Sequence, residues 1–191
     1  MITIRKRWKQ TMQAQKKLLN DDTIKAYQQQ FKKMQNLKFS KEGDEEFIEK
    51  LEVTSEQISN LQTRTNVNGF EIINDEPKHL CGTGLYPRPI ETFIGSIANC
   101  LEISALLYFS FSNLKIESVK VKVEAFIDKR SIIKDDKAPL LGYYDFKYTF
   151  YVKSDESLKK IQNVLKKVEE SCPVKGTLNR SNKFKNDLVI C

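Results

Sequence analysis

Apolar residues recur at helical spacing in several parts of the chain. Near the N-terminus, two stripes predict two helices within residues 1–41, and the clearer, second stripe consists of Ile24, Tyr27, Phe31, Met34 and Leu37. The segment 90–114 is apolar on nearly every side and predicts a central helix that is buried on most of its faces. A further stripe predicts a helix that begins near Asp155 and is ended by the segment around Cys172.

Apolar and polar residues alternate in two later segments, which is the pattern of a strand with one buried face. These segments are residues 119–127 and 146–152, and we expect them to pair antiparallel across a long polar connection. Shorter β segments are predicted within 47–65, at 70–73 and at 188–190. Strands around one central helix, with helices grouped along the chain, predict an α+β fold.

Charge is distributed unevenly along the 191 residues. Of the net charge of +7, residues 1–41 contribute +9, from eleven Lys and Arg against two Asp, so the remainder is slightly acidic. The sequence therefore predicts a basic helical arm at 1–45 and a nearly neutral domain at 46–191. We expect the arm to pack its apolar stripe on the protein, because burying one such side chain contributes about 1.5–3 kcal/mol. A nucleic-acid or membrane-surface arm is the alternative.

The cysteine content and the absence of targeting signals suggest a compartment. No charge-free run reaches the roughly 20 residues that cross a bilayer, and the first residues lack the apolar stretch of a secretory signal. We therefore expect a cytoplasmic protein without membrane association, in which cysteines are reduced. The four cysteines contain no metal-ligand pair spacing, and His79, although near Cys81, is the single histidine. No metal site and no bound cofactor are predicted.

Two cysteines have a local sequence that bears on their chemistry. Cys100 lies in the middle of the apolar segment, where a cysteine usually serves as a small hydrophobic residue. Cys172 directly precedes Pro173, a residue favoured at the first position of a helix. Cys172 is thus a candidate N-cap, where the helix dipole and free N–H groups favour a thiolate. These patterns leave a structural and a reactive role open for both cysteines.

The motifs around these cysteines carry a family resemblance. The first set is Asp75-Glu-Pro77, Gly82-Thr-Gly84, Pro87-Arg-Pro89-Ile-Glu91 and Ala98-Asn-Cys100-Leu, and the second is Ser171-Cys172-Pro-Val174 with Thr177-Leu178. In order and context they resemble the OsmC/Ohr family of thiol-dependent peroxidases, over roughly residues 47–191. The resemblance implies an intertwined homodimer, with highly curved antiparallel sheets around buried, cysteine-bearing helices. It also implies that Cys100 attacks the peroxide and that Cys172 resolves the product as a disulfide.

A thiolate in an apolar site requires a cation, because burial raises the pKa of a thiol. The organic-hydroperoxide branch of the family pairs an arginine with a glutamate ten residues before the reactive cysteine. Here Ile90 has that spacing, and Glu91 lies nine residues before Cys100. Arg64 and Arg88 are the candidate arginines, and Arg64 is preferred because a separate element can bring it to the helix. The alternatives are that Arg88 is a solvated loop residue and that Glu91 is only a favourable first-turn acid.

The sequence thus favours a cysteine-based peroxidase whose candidate site residues are Cys100, Cys172, Arg64 and Glu91. Apolar walls around Cys100 would favour bulky organic hydroperoxides over hydrogen peroxide, and an external dithiol would regenerate the thiols. The expected partners are a second copy of the chain, the hydroperoxide and the reductant, with no specific nucleic acid. Two alternatives remain: a redox-inactive protein of the same fold that binds an apolar small molecule, and an interaction module that uses the basic arm.

Overall fold

The computed structural model describes residues 17–36, 48–133 and 135–190. They divide into two compact units, with divisions after Ile24 and after Gly95. We call the unit with residues 17–24 and 96–190 the cysteine unit, and the unit with 25–36 and 48–95 the hairpin unit. The predicted boundary between arm and domain, after residue 45, lies outside the described residues and stays a prediction. The first predicted arm helix also lies almost entirely outside them.

The second predicted arm helix is present as α1, Asp21–Asn36. Its N-terminus is capped by Asn20, whose Oδ1 accepts a 2.7 Å hydrogen bond from the backbone N–H of Thr23. Two aspartates in the first turn complement the positive end of the helix dipole. Tyr27 and Met34, from the predicted apolar stripe, are nearly half exposed in the single chain. Where this stripe packs therefore stays a prediction.

The hairpin unit contains an antiparallel sheet in the order β1-β2-β3, formed by Thr54–Ser59, Gln62–Val67 and Phe70–Asn74. The β2–β3 turn is made by Asn68 and Gly69, both with positive φ (50° and 84°), as a tight hairpin turn requires. The strands expected within 47–65 and at 70–73 are thus confirmed.

The central helix, α2, runs from Pro89 to Phe111. One stripe of it is buried, formed by Ile97, Leu101, Ala105 and Phe109 at intervals of four residues. The helix ends three residues before the predicted Leu114, because Asn113 adopts the left-handed conformation (φ 54°) that terminates helices. The prediction of burial on most faces does not hold within one chain, since Phe93 and Ile103 remain exposed.

The length and composition of α2 would also allow it to cross a membrane. Its most apolar 18-residue window has a mean hydropathy of 1.4, and 22% of that window is buried in the single chain. A core helix of a soluble protein passes the same test, so this property alone is weak evidence for a membrane span. The buried stripe packs against the strands and helices of the cysteine unit.

The two predicted alternating strands are β4, Ile116–Phe126, and β5, Tyr144–Ser154, and they pair antiparallel as expected. Helix α3, Leu158–Ser171, follows, and the short helix α4, Pro173–Leu178, begins after Cys172. One core cluster joins α2, β4 and α3 through Ala105, Phe109, Ile116, Val164 and Val168. In the polar connection between β4 and β5, one short 3₁₀ helix spans Lys129–Ile132.

The predicted closing strand at 188–190 is wrong. Residues 181–190 form neither helix nor strand, and the side chains of Leu188, Val189 and Ile190 are at least 80% exposed. A β-prone triplet becomes a strand only where a neighbouring strand accepts its backbone hydrogen bonds. Among the described residues no strand pairs with this segment.

The loop that leads into α2 is organised by one buried carboxylate, Asp75. Its oxygens accept hydrogen bonds from the side chain of Thr83 and from the backbone N–H groups of Glu76, Thr83 and Leu85. The Thr83 hydroxyl is the main cause of the lowered pKa of Asp75. Gly82 permits this close fold, since a Cβ at this position would lie 1.8 Å from the carbonyl oxygen of Glu76. The loop motif therefore has a structural role within the hairpin unit.

Candidate thiol site

The two cysteines singled out by the sequence lie on different elements of the cysteine unit. Cys100 is in the middle of α2, one residue before the fully buried Leu101. Cys172 lies between α3 and α4 and is the N-cap of α4, with Pro173 at the first helical position. Its Sγ accepts a 3.5 Å hydrogen bond from the backbone N–H of Lys175. The predicted N-cap role of Cys172 is confirmed.

The two sulfur atoms are in direct contact. The Cys172 thiol donates a hydrogen bond to Cys100 Sγ, with a separation of 3.2 Å between the sulfurs. The cysteines are unbonded, since a disulfide would need an S–S distance of about 2.05 Å. Closing the remaining gap of about one ångström requires only a small movement. The structure therefore places two residues that are 72 positions apart at a distance suited to reversible disulfide formation.

The surroundings of this thiol pair are apolar. The core cluster around Cys172 contains Ile97 and Leu101 from α2 and Val121 from β4, and the partly buried residues packed against it include Cys100, Tyr148 and Val174. Cys172 is only 2% exposed, whereas Cys100 is half-buried. Cys100 is therefore the more exposed of the two residues.

Burial raises the pKa of the Cys172 thiol, and the hydrogen bond that it shares with Cys100 adds to this shift. The backbone N–H of Lys175 opposes the shift, because it donates to the sulfur and so favours the thiolate. Burial is the larger effect. Cys172 is thus held mainly as the neutral thiol that can donate a hydrogen bond to Cys100, so the effect of burial exceeds the thiolate stabilisation expected from the N-cap position.

Arg64 lies on β2 of the hairpin unit, between two carboxylates. Its Nη1 atom is 3.5 Å from Glu56 Oε1 on β1, and its Nε atom is 3.3 Å from Glu71 Oε1 on β3. The strand register explains this arrangement, because Arg64 is opposite Glu56 in the sheet. The role of Arg64 towards the thiols stays a prediction.

Glu91 lies in the first turn of α2 and contacts Arg88. Its Oε2 atom accepts a 2.9 Å hydrogen bond from the backbone N–H of Arg88, and its Oε1 atom accepts from the Arg88 guanidinium at 3.0 and 3.1 Å. These bonds lower the pKa of Glu91, with the backbone N–H as the largest cause. The geometry is that of a capping glutamate at the third helical position. Glu91 therefore acts as a first-turn acid of α2, and its catalytic role stays a prediction.

No cluster of three or more His, Cys, Asp or Glu side chains suited to a metal ion occurs within residues 17–36, 48–133 and 135–190. Cys81, near His79, is exposed and adopts the left-handed backbone conformation at the end of a 3₁₀ turn. Its carbonyl oxygen accepts a 3.0 Å hydrogen bond from the Asn60 side chain. Cys81 thus belongs to a turn of the hairpin unit.

Four residues near the thiol pair were not predicted as site residues from the sequence. The ammonium group of Lys175 lies over the Tyr148 ring, 5.6 Å from its centroid, and the Tyr108 hydroxyl is 2.6 Å from Ser171 Oγ. The alternation of β5 indicated that Tyr148 faces the core. The other contacts join residues distant in sequence, so no local pattern could indicate them.

Comparisons with known proteins give one family and several similar structures. The family described as OsmC-like protein matches residues 82–186, more than half of the chain. A comparison with curated proteins finds no significant match to this chain. An OsmC-like protein from Mycoplasma pneumoniae is 20% identical with a TM-score of 0.57, over 68% of this chain and 87% of that chain. An OsmC-like protein of unknown function from Vibrio cholerae is 10% identical with a TM-score of 0.53, over 69% and 95%.

A third similar structure is that of a protein from Legionella pneumophila, described as an organic hydroperoxide resistance protein OsmC. It is 15% identical with a TM-score of 0.50, over 69% of this chain and 90% of that chain. At identities of 10–20%, these similarities show a shared fold. The predicted α+β fold of the OsmC type is thus confirmed.

The different burial of the cysteines should be measurable by alkylation. With iodoacetamide, we expect exposed Cys81 to react faster than Cys172, because burial both shields the Cys172 thiol and raises its pKa. The Cys172 rate should still increase with pH beyond the value of about 8.5 near which an ordinary thiol ionises. Mass spectrometry of peptides from a pH series gives the rates, and urea-unfolded protein is the control. Equal rates for Cys81 and Cys172 in the folded protein would contradict this arrangement.

Proposed function

Because the chain belongs to the OsmC-like protein family, we propose that it is a thiol-dependent peroxidase that reduces organic hydroperoxides. The observation that carries this proposal is the 3.2 Å contact between Cys100 and Cys172 in an apolar cluster. A binding protein of this fold has no need of a second thiol at this distance. The name of the Legionella pneumophila protein supports the substrate class.

The first step is attack of the Cys100 thiolate on the hydroperoxide. The sulfur bonds to the terminal oxygen, the O–O bond breaks, and the alkoxide takes up a proton and leaves as an alcohol. Sulfur loses two electrons and the peroxide gains them, which leaves a sulfenic acid on Cys100. The apolar residues around the thiols, such as Ile97 and Val121, favour an alkyl or aryl substituent on the peroxide.

Burial supports Cys100, rather than Cys172, as the attacking residue. Cys100 is the more exposed of the two residues, and it accepts the hydrogen bond from the Cys172 thiol. Cys172 is buried, and its pKa is raised, so it is suited to remain a thiol until the sulfenic acid forms.

In the second step, the Cys172 sulfur attacks the Cys100 sulfenic acid. The S–S bond forms, the S–O bond breaks, and the thiol proton leaves with the hydroxyl group as water. An external dithiol then reduces the disulfide by exchange, and its own two thiols become a disulfide. The cycle needs no bound metal or cofactor. We propose Arg64 as the cation that supports the thiolate and Glu91 as its carboxylate partner.

We also propose that the protein is a homodimer. Large apolar side chains are exposed on both units, among them Phe70 on β3, Ile103 on α2 and Tyr151 on β5. A helix as apolar as α2 is stable in water when its remaining faces are covered. A second copy of the chain would supply that cover, as the family resemblance implies.

Substitution of single cysteines tests the peroxidase proposal. We expect Cys100→Ser to reduce consumption of cumene hydroperoxide, in the presence of a dithiol, by more than about a hundredfold, because the thiolate is the nucleophile. Without the dithiol, Cys172→Ser should consume about one equivalent and keep a sulfenic acid on Cys100 instead of a disulfide, since it lacks the resolving thiol. Cys81→Ser is the matched control and should keep full activity. Undiminished turnover by Cys100→Ser would contradict the proposal and favour a redox-inactive binding protein.

The same assay distinguishes the two candidate arginines. Arg64→Met should slow the first step, and Arg88→Met should affect it much less if Arg88 serves only to cap α2 with Glu91.

Sedimentation tests the proposed dimer. We expect one species with twice the 22.2 kDa mass of the chain at micromolar concentration. An obligate pair buries more than about 2,000 Å² in total. A matched variant, Ile103→Lys, places a charge on the exposed face of α2 and should weaken the dimer. A folded monomer of the unmodified chain would contradict this proposal.

A further inference from the structure

The segment from Ser171 to Lys175, which contains Cys172, is anchored by a polar contact at each end. We propose that Tyr108 and Lys175 are positioning residues that hold Cys172 in contact with Cys100. The inference rests on the proposed function for the step that it serves, the formation of the disulfide. The Tyr108 hydroxyl contacts Ser171, and the Lys175 ammonium group contacts Tyr148. Both side chains therefore act through the position of Cys172.

The first anchor is the hydrogen bond between the Tyr108 hydroxyl and Ser171 Oγ, 2.6 Å long. Tyr108 lies on α2, about two turns after Cys100, and Ser171 directly precedes Cys172. The bond therefore joins the helix that carries one thiol to the neighbour of the other. The Tyr108 ring also packs against the core cluster of Ala105 and Phe109, which limits its movement.

The second anchor is Lys175, which contacts the site at two points. Its backbone N–H donates to Cys172 Sγ at 3.5 Å, and its ammonium group lies over the Tyr148 ring at 5.6 Å. The Tyr148 ring is itself fixed, since it packs against the cluster around Cys172 and meets the Phe150 ring edge-on at 5.9 Å. This cation–π contact links the first turn of α4 to β5.

Anchoring matters because the disulfide forms only when both sulfurs are confined to the same small volume. A thiol that is held near its partner reacts at a high effective concentration, and a thiol on a loosely held segment does not. The gap between the sulfurs is 3.2 Å, so a movement of the segment by a few ångströms would abolish the contact. The first step, attack of Cys100 on the peroxide, depends less on the position of Cys172.

Three substitutions remove the anchors without removing a thiol. Tyr108→Phe and Ser171→Ala each delete the same hydrogen bond, from opposite sides, and Lys175→Met removes the ammonium group but keeps the length of the side chain. Lys175→Arg retains a cation over the ring and is the expected rescue.

Controls come from a second pair with the same kind of contact. The ammonium group of Lys120 lies 5.8 Å from the Tyr151 ring centroid, outside the cluster around the cysteines. Lys120→Met and Tyr151→Phe therefore remove comparable groups elsewhere in the same unit. Thermal unfolding of each reduced variant shows that the comparison is made between folded proteins.

The experiment measures the Cys100–Cys172 disulfide at equilibrium in glutathione buffers of known composition, by alkylation and mass spectrometry. We expect the equilibrium constant to fall about three- to tenfold in Tyr108→Phe, Ser171→Ala and Lys175→Met, the range that corresponds to the loss of one polar contact. Lys175→Arg and both control variants should match the unmodified protein. Unchanged constants in the three anchor variants would overturn the proposal.

Rapid mixing with cumene hydroperoxide then separates the two steps. In the anchor variants, we expect Cys100 to be oxidised at the normal rate, with the sulfenic acid trapped by dimedone, and the disulfide to form more slowly. An equal slowing of both steps would indicate a general structural effect and would also overturn the proposal. Failure of the peroxidase proposal gives a different result from failure of the anchor proposal. Cys100 would then not react with peroxide, but the disulfide equilibrium in glutathione would still change in the anchor variants.

Discussion

The Sγ atoms of Cys100 and Cys172 approach to 3.2 Å because a helix, a strand pair and a helix N-terminus share one apolar cluster. The buried stripe of α2 fixes the position of Cys100, and the break between α3 and α4 fixes that of Cys172. Pro173 makes this break, because it starts a new helix directly after the cysteine. The packing of the cysteine unit and its proposed chemistry therefore depend on the same contact.

The two thiols differ in burial. Burial raises the pKa of Cys172, which keeps this residue a thiol and a hydrogen-bond donor. The hydrogen bond is donated to Cys100, the more exposed of the two residues. The apolar cluster thus separates the roles of two chemically identical side chains, one as the proposed nucleophile and one as the proposed resolving residue.

Several elements could be predicted because they depend on neighbours in sequence. The alternation of residues in β4 and β5 indicated both strands and their pairing, and the Cys172-Pro173 pair indicated the start of α4. The predicted strand at 188–190 failed because a strand also needs a partner, which local sequence does not reveal. The end of α2 was misplaced because the conformation of one residue, Asn113, determines it.

The site itself required more than local pattern. Nothing in the spacing of Cys100 and Cys172 indicates their contact, and the expectation came from the resemblance to a family. The anchors at Tyr108 and Lys175 depend on tertiary packing, since each joins elements far apart in the chain. Arg64 contacts Glu71, and Glu91 contacts Arg88. The roles proposed for Arg64 and Glu91 depend on groups other than these charged neighbours.

In the proposed cycle Cys100 and Cys172 act as one redox pair, and mass spectrometry after one equivalent of cumene hydroperoxide tests this pairing. We expect the reduced protein to lose the mass of two hydrogen atoms and the peptides containing Cys100 and Cys172 to become linked. The same protein treated with a dithiol should return to its initial mass. Oxidation confined to Cys81, or consumption of the peroxide while the Cys100 and Cys172 peptides stay separate and unmodified, would show that the two cysteines are not a redox pair.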